Sequence, residues 1–98
     1  MHKQKFENII KQVGIMILLY RLRNGFSQFS LGVEVQLSTN QVGRIERGET
    51  NPTVLTLTKL ASTLNVEISE FFVKRNKEEI GLILIEIINL QEKASQNK

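Results

Sequence analysis

The fold of this chain is decided by two short stretches, Gly25-Phe26-Ser27-Gln28 and Val42-Gly43-Arg44-Ile45-Glu46-Arg47-Gly48, the second followed by Pro52. Glycine can close a helix in the left-handed conformation, and serine can cap the helix that comes next. The two stretches therefore predict two short helices joined by a tight turn. A pair of helices arranged in this way can place its second helix in the major groove of DNA.

Length and composition bound the architecture. The 98 residues suit one domain, and a core of this size buries only about two-thirds of the surface that the unfolded chain exposes, so we expect a partner to add stability. The sequence has no cysteine and a single histidine, so we expect no disulfide, no metal site and no cofactor. The net charge of +3 permits a polyanionic partner but is weak support for one.

The N-terminus is similar to a secretory signal peptide in one respect, because three lysines precede the apolar run at residues 13–20. Three features oppose that interpretation. Basic residues stand where a small-residue cleavage site would lie, Glu7 interrupts the basic region, and the apolar run is too short to span a bilayer. We therefore expect a cytoplasmic protein, associated with the nucleoid and without a membrane partner.

Apolar spacing and helix-end signals predict the helices of the first 72 residues. The N-terminal segment contains no proline and carries apolar side chains every three or four positions until Gly25 stops it. Ser27 and Ser38 are expected to cap the next two helices, and Gly48 to end the second of them. The predicted helices cover residues 3–23, 28–35, 39–47 and 52–64, followed by one helical turn at residues 69–72.

A last apolar segment runs from Glu78 to about Lys93, with apolar residues at heptad spacing. The β-branched residues between Ile80 and Ile88 are also compatible with a strand, but the positions of the charged and amide side chains favour a helix. We therefore predict an all-α chain. Residues 1–72 form its main domain, and residues 73–98 add a C-terminal amphipathic helix.

With the elements in this order, residues 13–72 resemble the helix-turn-helix domain of the phage Cro and C1 repressors, also called the Xre family. In that family the first helix ends in R-x-x-x-G-[L/F]-S-Q, which here is Arg21-Leu22-Arg23-Asn24-Gly25-Phe26-Ser27-Gln28. The family's reading helix ends in I-E-x-G before x-x-x-P, matched here by Ile45-Glu46-Arg47-Gly48 and Pro52. The resemblance implies a five-helix lambda-repressor-like domain that binds double-stranded DNA.

The helix over residues 39–47 offers the side chains that could read DNA. Val42 and Ile45 are expected to face inward, and Gly32 to lie where the two short helices approach. Asparagine can bond adenine, and arginine can bond guanine, through paired hydrogen bonds. The predicted DNA-binding residues are Gln28, Thr39, Asn40, Gln41, Gly43, Arg44, Arg47 and Asn51. The resemblance implies that Gln28 contacts phosphate, whereas outside such a motif these residues would be ordinary solvated side chains.

The resemblance also implies an ion pair between Arg21 and Glu46 that ties the first helix to the third. Two features depart from the family's pattern. Gln36 stands where the family usually has the glycine of the turn, and a left-handed conformation there costs roughly 1 kcal/mol. Phe29 and Ser30 occupy positions where acidic residues are common, so we expect an exposed aromatic ring and no capping box.

The chain carries more apolar surface than a domain of this size can cover. The first helix needs one stripe for the core, to which Phe6, Val13 and Ile17 contribute, yet it is apolar on nearly every face, as is the last helix. We expect these helices to pack on each other and on their counterparts in a second copy, with packing inside one chain as the alternative. The predicted dimerisation residues are Ile80, Ile83, Leu84, Ile87 and Leu90.

These features predict a homodimeric repressor or activator on an inverted-repeat operator, with half-sites one DNA turn, roughly 34 Å, apart. The alternative is a protein-interaction module of the same fold, antitoxin-like or a co-regulator, since residues 20–60 carry five basic side chains against three acidic ones. An enzyme is disfavoured. The sequence contains no aspartate, no Cys or Ser paired with a histidine base and no phosphate-cradling glycine loop.

Overall fold

A computed structural model describes residues 2–96, with side chains from residue 8 onward. Five α-helices and one 3-10 helix follow one another in these residues. They are α1 (His2–Arg23), α2 (Gln28–Val35), α3 (Thr39–Glu46), α4 (Val54–Leu64), the 3-10 helix (Ile68–Phe71) and α5 (Lys77–Gln96). The predicted all-α fold is confirmed, and the strand alternative for the last segment is wrong because residues 80–88 are helical.

Local cap chemistry sets the limits of the short helices. The backbone turns left-handed at Gly25, with φ +75°, and the amide of Phe26 donates to the carbonyl of Arg21 at 3.1 Å. The Ser27 hydroxyl accepts from the amide of Ser30 at 2.9 Å, and the Ser30 hydroxyl accepts from the amide of Ser27 at 2.8 Å. The prediction that no capping box forms is therefore wrong, because a serine at this position accepts the same hydrogen bond as a glutamate.

The turn between α2 and α3 is tight at two points. Gln36 adopts the left-handed conformation, with φ 63° and ψ 43°, at the position where the family usually has glycine. A side chain at Gly32 would overlap the carbonyl oxygen of Leu37. The chain can therefore double back after α2 only because Gly32 has no Cβ.

One hydrophobic core joins all the helices. Phe71 of the 3-10 helix is completely buried in it, and the ring of Tyr20 lies against that of Phe71 in a tilted arrangement, with ring centroids 6.4 Å apart. The buried apolar side chains are Val13, Met16, Ile17, Leu19, Leu31, Val35, Val42, Ile45, Leu57, Leu60, Ala61, Leu64, Phe71 and Ile87. The predicted core position of Phe6 lies outside the residues whose side chains are described.

Gly14 lies where α1 and the end of α3 are in close contact, a role that was not predicted from the sequence. A Cβ there would lie 2.7 Å from the carbonyl oxygen of Glu46, and closer still to that of Ile45. No larger residue fits without moving one of the two backbones. Gly14 therefore brings the C-terminus of α3 against α1.

The last helix packs on the first. Ile87 of α5 is 4% exposed and belongs to the core, while Ile83 and Leu90 pack against it and are partly buried. Arg23 of α1 donates to both carboxylate oxygens of Glu86, at 2.7 and 2.8 Å. The predicted contact between the first and last helices is confirmed. Ile87, however, is covered within the chain and is not free to contact a second copy, which corrects its assignment to a dimer interface.

None of the described helices combines the length and the apolar character needed to cross a membrane. The described residues also bring together no group of three or more His, Cys, Asp or Glu side chains that could hold a metal ion.

Candidate nucleic-acid interface

The outer face of α3 carries the predicted reading residues. Val42 and Ile45 are buried against the core, as expected, and so fix the rotation of α3 about its axis. The side chains on the opposite face are exposed and belong to Thr39, Asn40, Gln41 and Arg44. Gln41 also accepts a hydrogen bond from the amide of Ser38 at 2.8 Å, so its amide group caps α3 at the same time.

A buried network holds α3 from behind. Arg21 Nε lies 2.5 Å from Glu46 Oε2, and Arg21 Nη2 lies 3.1 Å from Glu46 Oε1. Arg21 Nη1 donates to the carbonyl of Phe26 at 2.9 Å, and Gln28 Nε2 donates to Glu46 Oε1 at 2.9 Å. Glu46 therefore connects the end of α1, the start of α2 and the end of α3. The structure joins the two residues that the resemblance paired, and it adds Gln28 to them.

Gln28 is half-buried at the start of α2, beside the exposed face of α3. One of the two hydrogens on its Nε2 is directed to Glu46, which leaves the other for an acceptor such as a phosphate oxygen. The network thus fixes the orientation of the Gln28 amide before any ligand arrives. This geometry is compatible with the phosphate contact that the resemblance implies for Gln28.

Gly43 lies elsewhere than expected. It is buried, although it was predicted as a DNA-binding residue on the surface of the helix. A Cβ at this position would lie 2.9 Å from Arg47 Nη1 and 3.3 Å from Gln28 Nε2. The two polar side chains therefore cover Gly43. The missing side chain makes room for them, so the glycine serves the packing of the site rather than the outer surface.

Arg47 forms an exposed ion pair at the end of α3. Its Nε lies 2.8 Å from Glu49 Oε2. The hydrogen bond from Arg47 lowers the pKa of the Glu49 carboxyl, and the same bond raises the pKa of Arg47. Glu49 therefore neutralises the charge of Arg47. Among the ion pairs of the described residues none involves Arg44, so Arg44 gives the exposed face of α3 an unpaired positive charge.

A shallow groove of about 210 Å³ runs between α3 and the segment that follows it. Gln41 and Arg44 line one side, and Asn51, which was predicted as a DNA-binding residue, lines the other. The sequence analysis missed Thr53 and Thr56, which also line the groove. Thr53 Oγ1 accepts from the amide of Thr56 at 3.1 Å and caps α4 there. A helix was predicted to start at residue 52, but its cap was not named, and the spacing Thr-x-x-Thr after Pro52 was the signal that could have revealed it.

Two capped helices joined by a left-handed turn, the second with an exposed polar face, define a helix-turn-helix protein. The family model described as helix-turn-helix matches residues 17–71, which is more than half of the chain. The chain belongs to this family, of the Cro/C1 type.

Two curated relatives match part of the chain. The HTH-type transcriptional regulator SlrR of Bacillus subtilis (strain 168) is 46% identical over 61 residues, which is 61% of this chain and 40% of that protein. The HTH-type transcriptional regulator SutR of Escherichia coli (strain K12) is 37% identical over 65 residues, which is 66% of this chain and 36% of that protein. The chain thus spans less than half the length of either relative. No solved structure matches it at a significant level.

Proposed function

We propose that this chain is a transcriptional regulator that binds double-stranded DNA through the exposed face of α3 and acts in the cytoplasm, at the nucleoid. The observation that carries the proposal is the position of Asn40 and Arg44. Both are exposed on a helix that the buried Arg21–Glu46 pair and Gln28 hold in place. The names of the two curated relatives support the same class of function.

The proposed complex uses two kinds of contact. Gln28 and the N-terminus of α2 hold phosphate groups, because free amide groups and the helix dipole attract anions there. Asn40 and Arg44 read base edges in the major groove, where each bidentate pair discriminates by roughly 1–3 kcal/mol. Thr39, Gln41, Arg47 and Asn51 surround these two residues and extend the contact.

The regulator is proposed to act as a homodimer on an inverted repeat. Support comes from exposed apolar side chains on α5, which a second copy could cover. A two-fold pair would present two α3 helices to successive major grooves, with half-sites about 34 Å apart.

Selection of bound duplexes from a random DNA pool tests the proposal. The full chain should enrich an inverted repeat, and its affinity for the enriched duplex should fall steeply as salt rises. Arg44→Ala and Asn40→Ala should weaken binding while leaving the helical circular dichroism unchanged. Lys93→Ala, which removes an exposed charge from α5, serves as the control and should bind as the parent does. Equal binding by both reader variants would show that α3 is not the reading helix.

A protein-interaction module is the second candidate, and one observation favours it. Phe29 and Val33 are exposed one turn apart on α2, and an interface with another protein would use such a pair. The Arg47–Glu49 pair also lowers the positive charge near α3. Such a module would enrich no duplex, and any residual DNA binding would show no preference for sequence. Phe29→Ser would then abolish binding of the partner protein and leave the residual DNA binding unchanged.

A further inference from the structure

The outward face of α5 carries an apolar stripe with one charge at each end. Leu84, Ile85 and Ile88 are 42%, 57% and 53% exposed, although another face of the same helix packs on α1. Gly81 belongs to the same stripe, and the space around it is open, with no atom within 4 Å of a Cβ built there. This stripe comprises Lys77, Gly81, Leu84, Ile85, Ile88 and Glu92.

Helical geometry places these residues on one face. Consecutive members are three or four positions apart, which is the spacing of neighbours along a helix of 3.6 residues per turn, except that Leu84 and Ile85 are adjacent and lie about 100° apart on the two edges of the face. Ile83, Ile87 and Leu90 lie on a different face, which α1 covers. Two apolar faces on one helix explain why the sequence of α5 is more apolar than its packing inside the chain requires.

The stripe is complementary to itself when it is reversed. If two α5 helices meet antiparallel, with the two-fold axis between positions 84 and 85, residues whose numbers sum to 169 lie at the same height. In this arrangement a large side chain of one copy faces a glycine of the other, apolar side chains face apolar ones, and acidic side chains face basic ones. Lys77 then lies at the height of Glu92 and Gly81 at the height of Ile88, each pair made twice, while Leu84 and Ile85 lie at the centre on opposite edges of the face, each beside its own copy.

We infer that the stripe binds the same stripe of a second copy in this antiparallel register. The inference rests on the proposed function, because it supplies the interface of the proposed homodimer. It replaces the predicted interface, in which Ile83 and Ile87 would have faced the partner. A parallel pair of helices would place Lys77 next to Lys77 and Glu92 next to Glu92, so the charges select the antiparallel arrangement.

Charge reversal tests the register in the full chain without DNA. In sedimentation equilibrium, Lys77→Glu and Glu92→Lys should each weaken self-association by about ten-fold, because two attractive pairs become two repulsive ones. An equimolar mixture of the two variants should associate as tightly as the parent, since each chain then meets opposite charges. Lys93→Glu makes the same change of charge on α5 outside the stripe and should leave association unchanged.

Helix fraying does not account for the expected loss, because an acidic residue at position 77 stands in the first turn of α5 and favours the helix dipole. Parent-like association of both single variants would overturn the inference, and so would a mixture that stays weak. A monomeric parent that still enriches a DNA sequence would overturn the interface and leave the proposed function standing. If the parent is a dimer, the charge variants behave as expected and no DNA sequence is enriched, the interface stands and the proposed function is overturned.

Discussion

Two arginine–glutamate pairs in this chain have nearly the same hydrogen-bond geometry but differ in burial. Replacing each glutamate by glutamine should therefore show how much burial adds to the cost of breaking such a pair. Arg21 meets Glu46 at 2.5 and 3.1 Å, and Arg23 meets Glu86 at 2.7 and 2.8 Å. The side chains of the first pair are 9% and 3% exposed, and those of the second are 46% and 38% exposed. Burial is therefore the main difference between them.

Glu46→Gln should be strongly destabilising. The amide keeps the size of the carboxylate but removes its charge, so Arg21 remains charged in a buried site. Breaking a buried pair in this way costs about 3–5 kcal/mol. The total stability of a small domain is about 5–15 kcal/mol, so a large share of it is lost. Gln28 also loses a charged acceptor and with it part of its fixed orientation.

Glu86→Gln is the matched control, with an expected cost of about 0–1 kcal/mol because water screens the exposed pair. The hydrogen bond from Arg23 lowers the pKa of Glu86. The contribution of the Arg23–Glu86 pair to the free energy of unfolding is therefore fully present above the ordinary carboxyl pKa. It is lost as the pH falls through the lowered pKa of Glu86. Urea unfolding of the parent and both variants, followed by circular dichroism, measures the two costs. Equal costs would refute the argument from burial.

Three further substitutions test single contacts. Gln36→Gly should raise the free energy of unfolding by about 1 kcal/mol because it relieves a left-handed residue, and a loss of stability in urea would contradict this. Gly14→Ala should lower the melting temperature despite the better helix propensity of alanine, with a cost of about 1–3 kcal/mol from overlap with the Ile45 carbonyl; a rise would show that α1 and α3 can separate freely. Glu49→Gln should release Arg47 for a phosphate, which tightens DNA binding and steepens its salt slope by about one in an anisotropy titration; an unchanged slope would mean that Arg47 makes no phosphate contact.

Helix limits were predictable because the chemistry of helix ends is local. Ser27 and Ser38 cap α2 and α3, as expected, and Gly25 and Gly48 adopt positive φ just after the ends of α1 and α3. These signals need only a few neighbouring residues. The Arg21–Glu46 contact joins distant segments, and it entered through the family resemblance rather than through local chemistry.

Positions set by tertiary contact were not predictable in the same way. The role of Gly14 depends on how closely α3 approaches, and the burial of Gly43 depends on side chains from two helices. In α5, apolar residues cover most of the helix, so periodicity alone could not decide which face packs on α1. Ile87 proved to be inside, and Ile85 outside.

The central claim is that the exposed face of α3 reads base edges, and a cycle of protein and DNA substitutions tests it most directly. Affinities of the parent and Arg44→Ala would be measured on the selected duplex and on duplexes with one base pair changed at each position. The account predicts that the parent loses about 1–3 kcal/mol at one guanine and that Arg44→Ala loses the preference at that position alone. An equal loss of affinity at every position would contradict it, because Arg44 would then contact only the backbone.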